Sequence, residues 1–417
     1  MTAPAPLARR LGLGDAIAIG VGSMMGAGVF SVFAPAATAA GGGLLIGLVI
    51  AAVVALGNAT SSAQLAAQYP SAGGTYLYGR EQIGPTAGFL AGWAFVVGKT
   101  ASCAAMAMVL AAYVAPDGWE KAIGIAAVVA VTTVNCLGVH RTAAVTKVLV
   151  VGVLAVLGLV IVAASAARSD GAGPSLALTV DGGVYGVLQS AGLLFFAFAG
   201  YARIATLGEE VRDPARVIPR AVVASLTIAL LVYAAVAWSV LAVLGPDGLA
   251  ASAEPLVDAA RAGGWDWTGP WVRGAAAAAT LGALLALVAG IGRTTLAMAR
   301  HGDLPSTLAV VHPRFAVPHR AEILVAVVIC AVVAVVDLRG AIGFSSFGVL
   351  LYYLVANVSA YRQAPDHRRY PRVLQVVGAV GCLVLAATLP WESVLAGVAV
   401  LALGLGGRAV VRRQLGT

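Results

Sequence analysis

Apolar residues in this chain come in long uninterrupted blocks, and polar residues come in short clusters between them. The blocks cover roughly 12–35, 42–64, 86–114, 120–138, 145–167, 184–207, 218–244, 272–298, 321–337, 341–361, 373–389 and 391–410. A run of about 20 apolar residues is long enough to cross the hydrocarbon as a helix. In lipid only helices and closed barrels satisfy every backbone polar group. These runs are continuous rather than alternating, which excludes a barrel. An all-α polytopic membrane protein with about twelve transmembrane helices is expected, with no soluble domain interrupting them. The longest connections are 168–183, 245–271 and 299–320. Within the second of these, "EPLVDAARA" reads as a short outer helix, and Trp265, Trp267 and Trp271 as an interfacial anchor. The segment "YPSAGGTYLYGREQIGPTAG" (69–88) reads as an inner connection rich in turn formers.

Composition agrees with a lipid solvent. The 417 residues are 60% hydrophobic and 11% charged, against about 25% charged in soluble domains. The first block is too long for a removable signal peptide and lacks a cleavage site. Orientation follows from Lys and Arg. With the N-terminus inside, Arg9, Arg10, Arg80, Arg141, Lys147, Arg212, Arg300, Arg368, Arg408 and Arg412 are among the many that fall at the inner face. Only Lys121, Arg168, Arg261, Arg273 and Arg339 fall outside. Both termini are therefore expected in the cytoplasm, in a multi-pass protein of the cytoplasmic membrane. This asymmetry accounts for the net charge of +8, and nucleic-acid binding is excluded for want of a basic soluble module. The four cysteines lie in apolar runs without metal spacing, and the five histidines fall in inner loops. No metal site, cofactor or enzymatic centre at mid-membrane is expected.

The first block contains "GVGSMMGAGVF" (20–30), with Gly20, Gly22, Gly26 and Gly28 in its middle. Each glycine costs a helix interior roughly 1 kcal/mol relative to alanine. Gly22 and Gly26 form a G-x-x-x-G pair that permits close helix packing in lipid. The same glycines, with Ser23 among them, permit an unwound stretch whose freed N–H groups bind an anion. Unwound backbone at this depth is tolerable only where it lines a site. The sixth block, "LLFFAFAGYARIATLGEE" (193–210), carries a second mid-span glycine, Gly200. Interrupted segments at matching places in two halves point to the substrate site of a transporter.

The segments "GVGSMMGAGVF" (20–30), "YPSAGGTYLYGRE" (69–81), "FFAFAGYARIATLGEEVRDPARVIPRA" (195–221) and "RTTLAMARHGDLP" (293–305) together resemble the amino acid–polyamine–organocation superfamily of permeases. The resemblance covers about residues 10–410. It implies one transmembrane transporter domain over 1–410 with a leucine-transporter-like, five-plus-five inverted repeat. The first repeat would span about 12–167 and the second about 184–361, followed by two extra helices over about 373–410 and a cytoplasmic tail, 411–417. It implies broken helices 1 and 6 with an amino acid between them. The substrate carboxylate would meet the N–H groups of Gly26, Ala27 and Gly28, with Ser23 and Gly200 at the same breaks. The α-ammonium would meet the carbonyls of Met24, Phe196 and Ala199. Phe196, Phe198 and Tyr201 are candidates for a gate over the side chain. The chain departs from many relatives at Ala202, where they carry an acid, and at Val153, where some carry a lysine.

Lys99 sits about a dozen residues into the third span, near the bilayer centre at about 1.5 Å per residue. A charge at that depth is usually functional, and desolvation lowers the pKa of a lysine in general. Lys99 is the candidate titratable or cation-mimicking group. Thr294 and Thr295 on the eighth span are candidates for binding sodium, against the plainer reading of hydroxyls bonded to their own helix. Arg203 is a candidate inner-gate cation that would pair with Glu209, Glu210 or Asp15. No Asp or Glu lies deep inside a span, which favours a neutral amino acid over a cationic one. The expected function is secondary active transport by alternating access, by proton symport or exchange, with sodium coupling as the other option. A cationic amino acid or polyamine transporter is one alternative, and a non-transporting sensor or channel is another. The small-molecule substrate and the bilayer are the expected partners, and the sequence specifies no oligomeric state.

Overall fold

The computed structural model describes residues 11–69, 73–138, 143–169, 180–205, 207 and 210–415. Seventeen α-helices account for nearly all of them, and no strand occurs among the described residues. The first span is divided into α1 (Leu13–Met24), α2 (Gly28–Ser31) and α3 (Phe33–Ala40). Then follow α4 (Leu44–Gln68), α5 (Gly74–Gln82), α6 (Pro85–Val114), α7 (Glu120–Cys136) and α8 (Ala143–Ser169). The sixth span consists of α9 (Gly183–Phe198), a 3-10 turn over Ala199–Tyr201, and α10 (Ala202–Ala205). The remainder is α11 (Pro214–Ala251), α12 (Pro255–Ala262), α13 (Gly269–Arg300), α14 (His319–Val335), α15 (Leu338–Arg362), α16 (Arg372–Thr388) and α17 (Trp391–Leu415).

Local chemistry sets the boundaries. Proline opens α6, α11 and α12, where its missing N–H costs nothing. Asp337 caps α15 by accepting the Gly340 N–H at 3.0 Å. The seventh span bends at Gly245, whose φ of 68° suits glycine. The short outer helix expected over "EPLVDAARA" is α12, anchored by Arg273, which forks onto Glu254 at 2.9 and 2.6 Å. The connection at 69–88 differs from expectation. Its turn formers surround a nine-residue helix, α5, held by packing against α6 rather than by propensity.

Nine helical stretches among the described residues are long and apolar enough to cross a membrane. Helices α7, α14 and α16, of 17 residues each, stand at the short end of the spanning range. Helix α6 is central: 83% of its apolar window is buried, against 17% for α17 at the periphery. Outward-facing Val148, Leu231, Val335 and Leu403 are all more than half exposed and find an apolar environment only in lipid.

Hydrogen bonds and close backbone contacts hold the bundle together, since lipid supplies no hydrophobic driving force between helices. Between α4 and α15, Ser61 Oγ donates to Asn357 Oδ1 at 2.6 Å and Asn357 Nδ2 donates to Asn58 Oδ1 at 2.6 Å. Gln64 continues this ladder to Gln363. Between α6 and α15, Gly98 meets Gly348 backbone to backbone, and Ser102 and Ser345 share a hydroxyl bond at 2.6 Å.

One buried carboxylate ties four elements together. Asp303 follows α13, and its side chain is wholly buried. It accepts from Tyr76 at 2.8 Å and Arg80 at 2.9 Å on α5, and from Arg408 at 2.7 Å on α17. Arg408 also donates to Pro85 O and Thr86 Oγ1 at the start of α6, and lies over the Phe89 ring. Burial and the neighbouring carboxylate push the Tyr76 phenol pKa upward, so it stays a donor. Removing one partner from a buried ion pair costs about 3–5 kcal/mol. Asp303→Asn is therefore expected to lower the thermal unfolding midpoint of the detergent-solubilised protein by several degrees. An unchanged midpoint would show that the cluster contributes no stability.

Candidate functional site

The first span loses its helix at Met25, Gly26 and Ala27. Helix α1 closes with the Met25 N–H on the Val21 carbonyl, and α2 begins at Gly28. Among the described residues no backbone acceptor bonds the N–H groups of Gly26, Ala27 or Gly28. The sixth span is tightened rather than fully unwound: the Ala199 N–H returns to the Phe196 carbonyl and opens the 3-10 turn. That turn leaves the carbonyls of Ala197 and Ala199 open to other helices.

The two interruptions meet each other. A Cβ on Gly28 would lie 2.7 Å from the Ala197 Cα, and one on Gly200 would lie 2.4 Å from both C and O of Ser23. Any side chain at either position would push the two backbones apart. The ends of the two spans farther along the chain from the breaks, at Leu11 and Glu210, are joined as well. Leu11 N–H donates to Glu210 O at 3.1 Å and Arg212 N–H donates to Leu11 O at 2.9 Å.

Three polar side chains from other helices reach the freed carbonyls. Tyr233 Oη on α11 lies 2.6 Å from Met24 O and 3.0 Å from Ala197 O. Tyr353 Oη on α15 donates to Ala199 O at 3.4 Å, and Lys99 Nζ on α6 donates to the same oxygen at 3.3 Å. Tyr233 and Tyr353 were not among the sequence candidates. Their signal was available, because a phenol buried in an apolar span needs an acceptor.

The pattern of the amino acid permease family matches residues 11–402. The chain belongs to that family. An uncharacterized transporter of Mycobacterium tuberculosis is 58% identical over 415 residues, covering 99% of this chain and 94% of the relative. A branched-chain amino acid permease of Bacillus subtilis is 24% identical, covering 96% of this chain and 92% of that protein. A cationic amino acid transporter of Arabidopsis thaliana is 29% identical, covering 88% and 65%. The protein is thus a multi-pass membrane transporter of the amino acid permease family, with a small-molecule substrate, and not an enzyme.

The remaining candidates of this permease are placed as follows. Gly26 faces Ala283 of α13, and Gly22 faces Val150 of α8, so close packing and a broken helix coexist in the first span. Ser23 Oγ donates to Ile19 O at 2.7 Å within its own helix. Phe198 is buried edge-on against Tyr233, with centroids 5.1 Å apart, and Tyr201 stacks on Tyr353 at 5.0 Å. Phe196 is also buried. Thr294 donates to Gly290 O at 3.2 Å, its own backbone. Thr295 is buried, and its hydroxyl has no hydrogen-bond partner among the described residues. Asp15 pairs with Lys147 of α8 at 2.6 Å and accepts from the Gly12 N–H. Arg203, partly buried on α10, feels the charges of Arg293 and Glu210. Glu209 lies outside the described residues. Glu322, at the start of α14, is a buried carboxylate beside Cys136, whose Sγ donates to it at 3.6 Å. It belongs to the α7–α13–α14 packing rather than to the two breaks.

Because overpacking costs roughly 1–3 kcal/mol, Gly200→Ala is expected to reduce uptake about tenfold or more. Gly158→Ala, where an added Cβ meets nothing within 4 Å, should leave uptake intact. Equal uptake by the two variants in reconstituted vesicles would remove Gly200 from the site.

Proposed function

We propose that this permease is a secondary active transporter that moves a neutral amino acid across the cytoplasmic membrane by alternating access. The observation that carries the reading is the meeting of two interrupted helices at Gly28–Ala197 and Gly200–Ser23, with N–H groups on one side and carbonyls on the other. In this reading the N–H groups of Gly26, Ala27 and Gly28 receive the substrate carboxylate, as the start of a helix favours an anion. The carbonyls of Met24, Phe196 and Ala199 receive the α-ammonium, the last two at the C-terminal end of α9. Binding then requires Tyr233, Tyr353 and Lys99 to give up or share those carbonyls. This exchange of partners couples substrate to the positions of α6, α11 and α15.

The architecture that goes with this reading is a five-plus-five inverted repeat, about 12–167 and 184–361, with two further helices and both termini in the cytoplasm. Asp15, Arg203 and Glu210 lie at the inner end of the two broken spans, where a gate would act. The branched-chain permease of Bacillus subtilis supports a neutral, apolar side chain. A lone lysine beside the break supports proton coupling or exchange over a sodium-driven cycle, because Thr294 is turned to its own helix.

Purified protein in proteoliposomes is expected to accumulate labelled small or branched neutral amino acids, and faster with an inward proton gradient or with unlabelled amino acid inside. Binding without accumulation would identify a sensor instead. Uptake that stops at equal concentrations and is unaffected by both gradients would indicate uniport.

A further inference from the structure

We propose that Lys99 sets the charge class of the substrate: its ammonium is the resident counter-ion for a ligand carboxylate, and it excludes ligands with net positive charge. This rests on the transporter reading above. Lys99 is buried on α6, and Gly98 beside it is locked against Gly348 of α15. Its Nζ reaches Ala199 O at the 3-10 turn. An ammonium has three donors, and among the described residues this is its one hydrogen bond. No carboxylate forms an ion pair with it among the described residues. The buried acids Asp303 and Glu322 have other neighbours, Asp303 its arginines and Tyr76, and Glu322 the thiol of Cys136.

A buried, uncompensated cation is costly, and the cost is relieved when an anion arrives with the ligand. The two unused donors of Lys99 suit the oxygens of a carboxylate arriving at the 3-10 turn, where its Nζ already reaches Ala199 O. A zwitterionic ligand brings one negative group for Lys99 and one positive group for the carbonyls. An acidic amino acid brings a second negative group. A basic amino acid or a polyamine adds a positive charge to a compartment already holding one. Like charges about 6 Å apart at an effective dielectric of about 20 repel enough to weaken binding roughly a hundredfold. The site thus accepts neutral and acidic amino acids and rejects arginine, lysine and polyamines.

The test compares ligands of equal shape and different charge on the full-length protein in nanodiscs, by ligand-induced thermal stabilisation and by competition. The pairs are citrulline against arginine, and homoserine against 2,4-diaminobutyrate. The neutral member of a pair is expected to bind about a hundredfold tighter than the cationic one. Lys99→Gln should shrink that ratio to a few-fold, and Lys99→Arg should restore it. A merely structural role for Lys99 would alter stability without changing the ratio. Cationic members binding as tightly as neutral ones to the unmodified protein would overturn the proposal without any variant. So would a ratio that persists in Lys99→Gln. Should Lys99→Gln not fold, the unmodified protein and Lys99→Arg still decide. Failure of every amino acid to bind would overturn the transporter reading itself, and this proposal with it.

Discussion

The hydrocarbon core of a membrane has no water to satisfy a stray N–H or C=O, and two helices of this permease are nevertheless interrupted there. Each break is tolerable because the other lies against it and because side chains from three further helices cover the carbonyls. Tyr233 spans Met24 O and Ala197 O, while Tyr353 and Lys99 share Ala199 O. The N–H groups of Gly26, Ala27 and Gly28 in the first break have no backbone acceptor among the described residues. Glycine at 28 and 200 is what allows the backbones to approach so closely. The junction is therefore polar, and Lys99 is the charged side chain bonded there.

The rest of the bundle holds that junction in place. Helix α6 carries Lys99 and is fixed to α15 by the Gly98–Gly348 contact and the Ser102–Ser345 bond. Helix α15 is fixed in turn to α4 by the asparagine and glutamine ladder. At one end of the bundle, Asp303 gathers α5, α17 and the end of α13, with α6 joined through Arg408. None of those Asp303 contacts involves the two interrupted spans. Their ends at Leu11 and at Glu210–Arg212 are bonded to each other. The interrupted pair is thus linked at these ends as well as at the breaks, and it packs against α4 and α11.

Much of this was legible in residue order because its causes are local. Apolar runs of spanning length, prolines at helix starts and clustered glycines act within a few residues of themselves, and they anticipated an all-helical polytopic bundle, α12 and the break at Met25–Ala27. Local signals misled at 69–88, where turn formers surround α5, because packing on α6 overrides weak propensity. The partner of Asp15 proved to be Lys147, a residue on another span. The roles of Tyr233, Tyr353 and Asp303 were not legible, since their partners lie on other helices, far along the chain.

Sequence by itself determined that the solvent is lipid, that the elements are helices, and that two of them carry helix-weakening glycines at mid-span. These follow from transfer free energy and backbone conformation, which each short segment expresses alone. Only the tertiary structure decided which carbonyls are covered, by which phenols and by which ammonium. Those pairings depend on distances between helices remote in sequence, and in lipid such distances are set by small-residue contacts and polar bonds rather than by any periodic pattern.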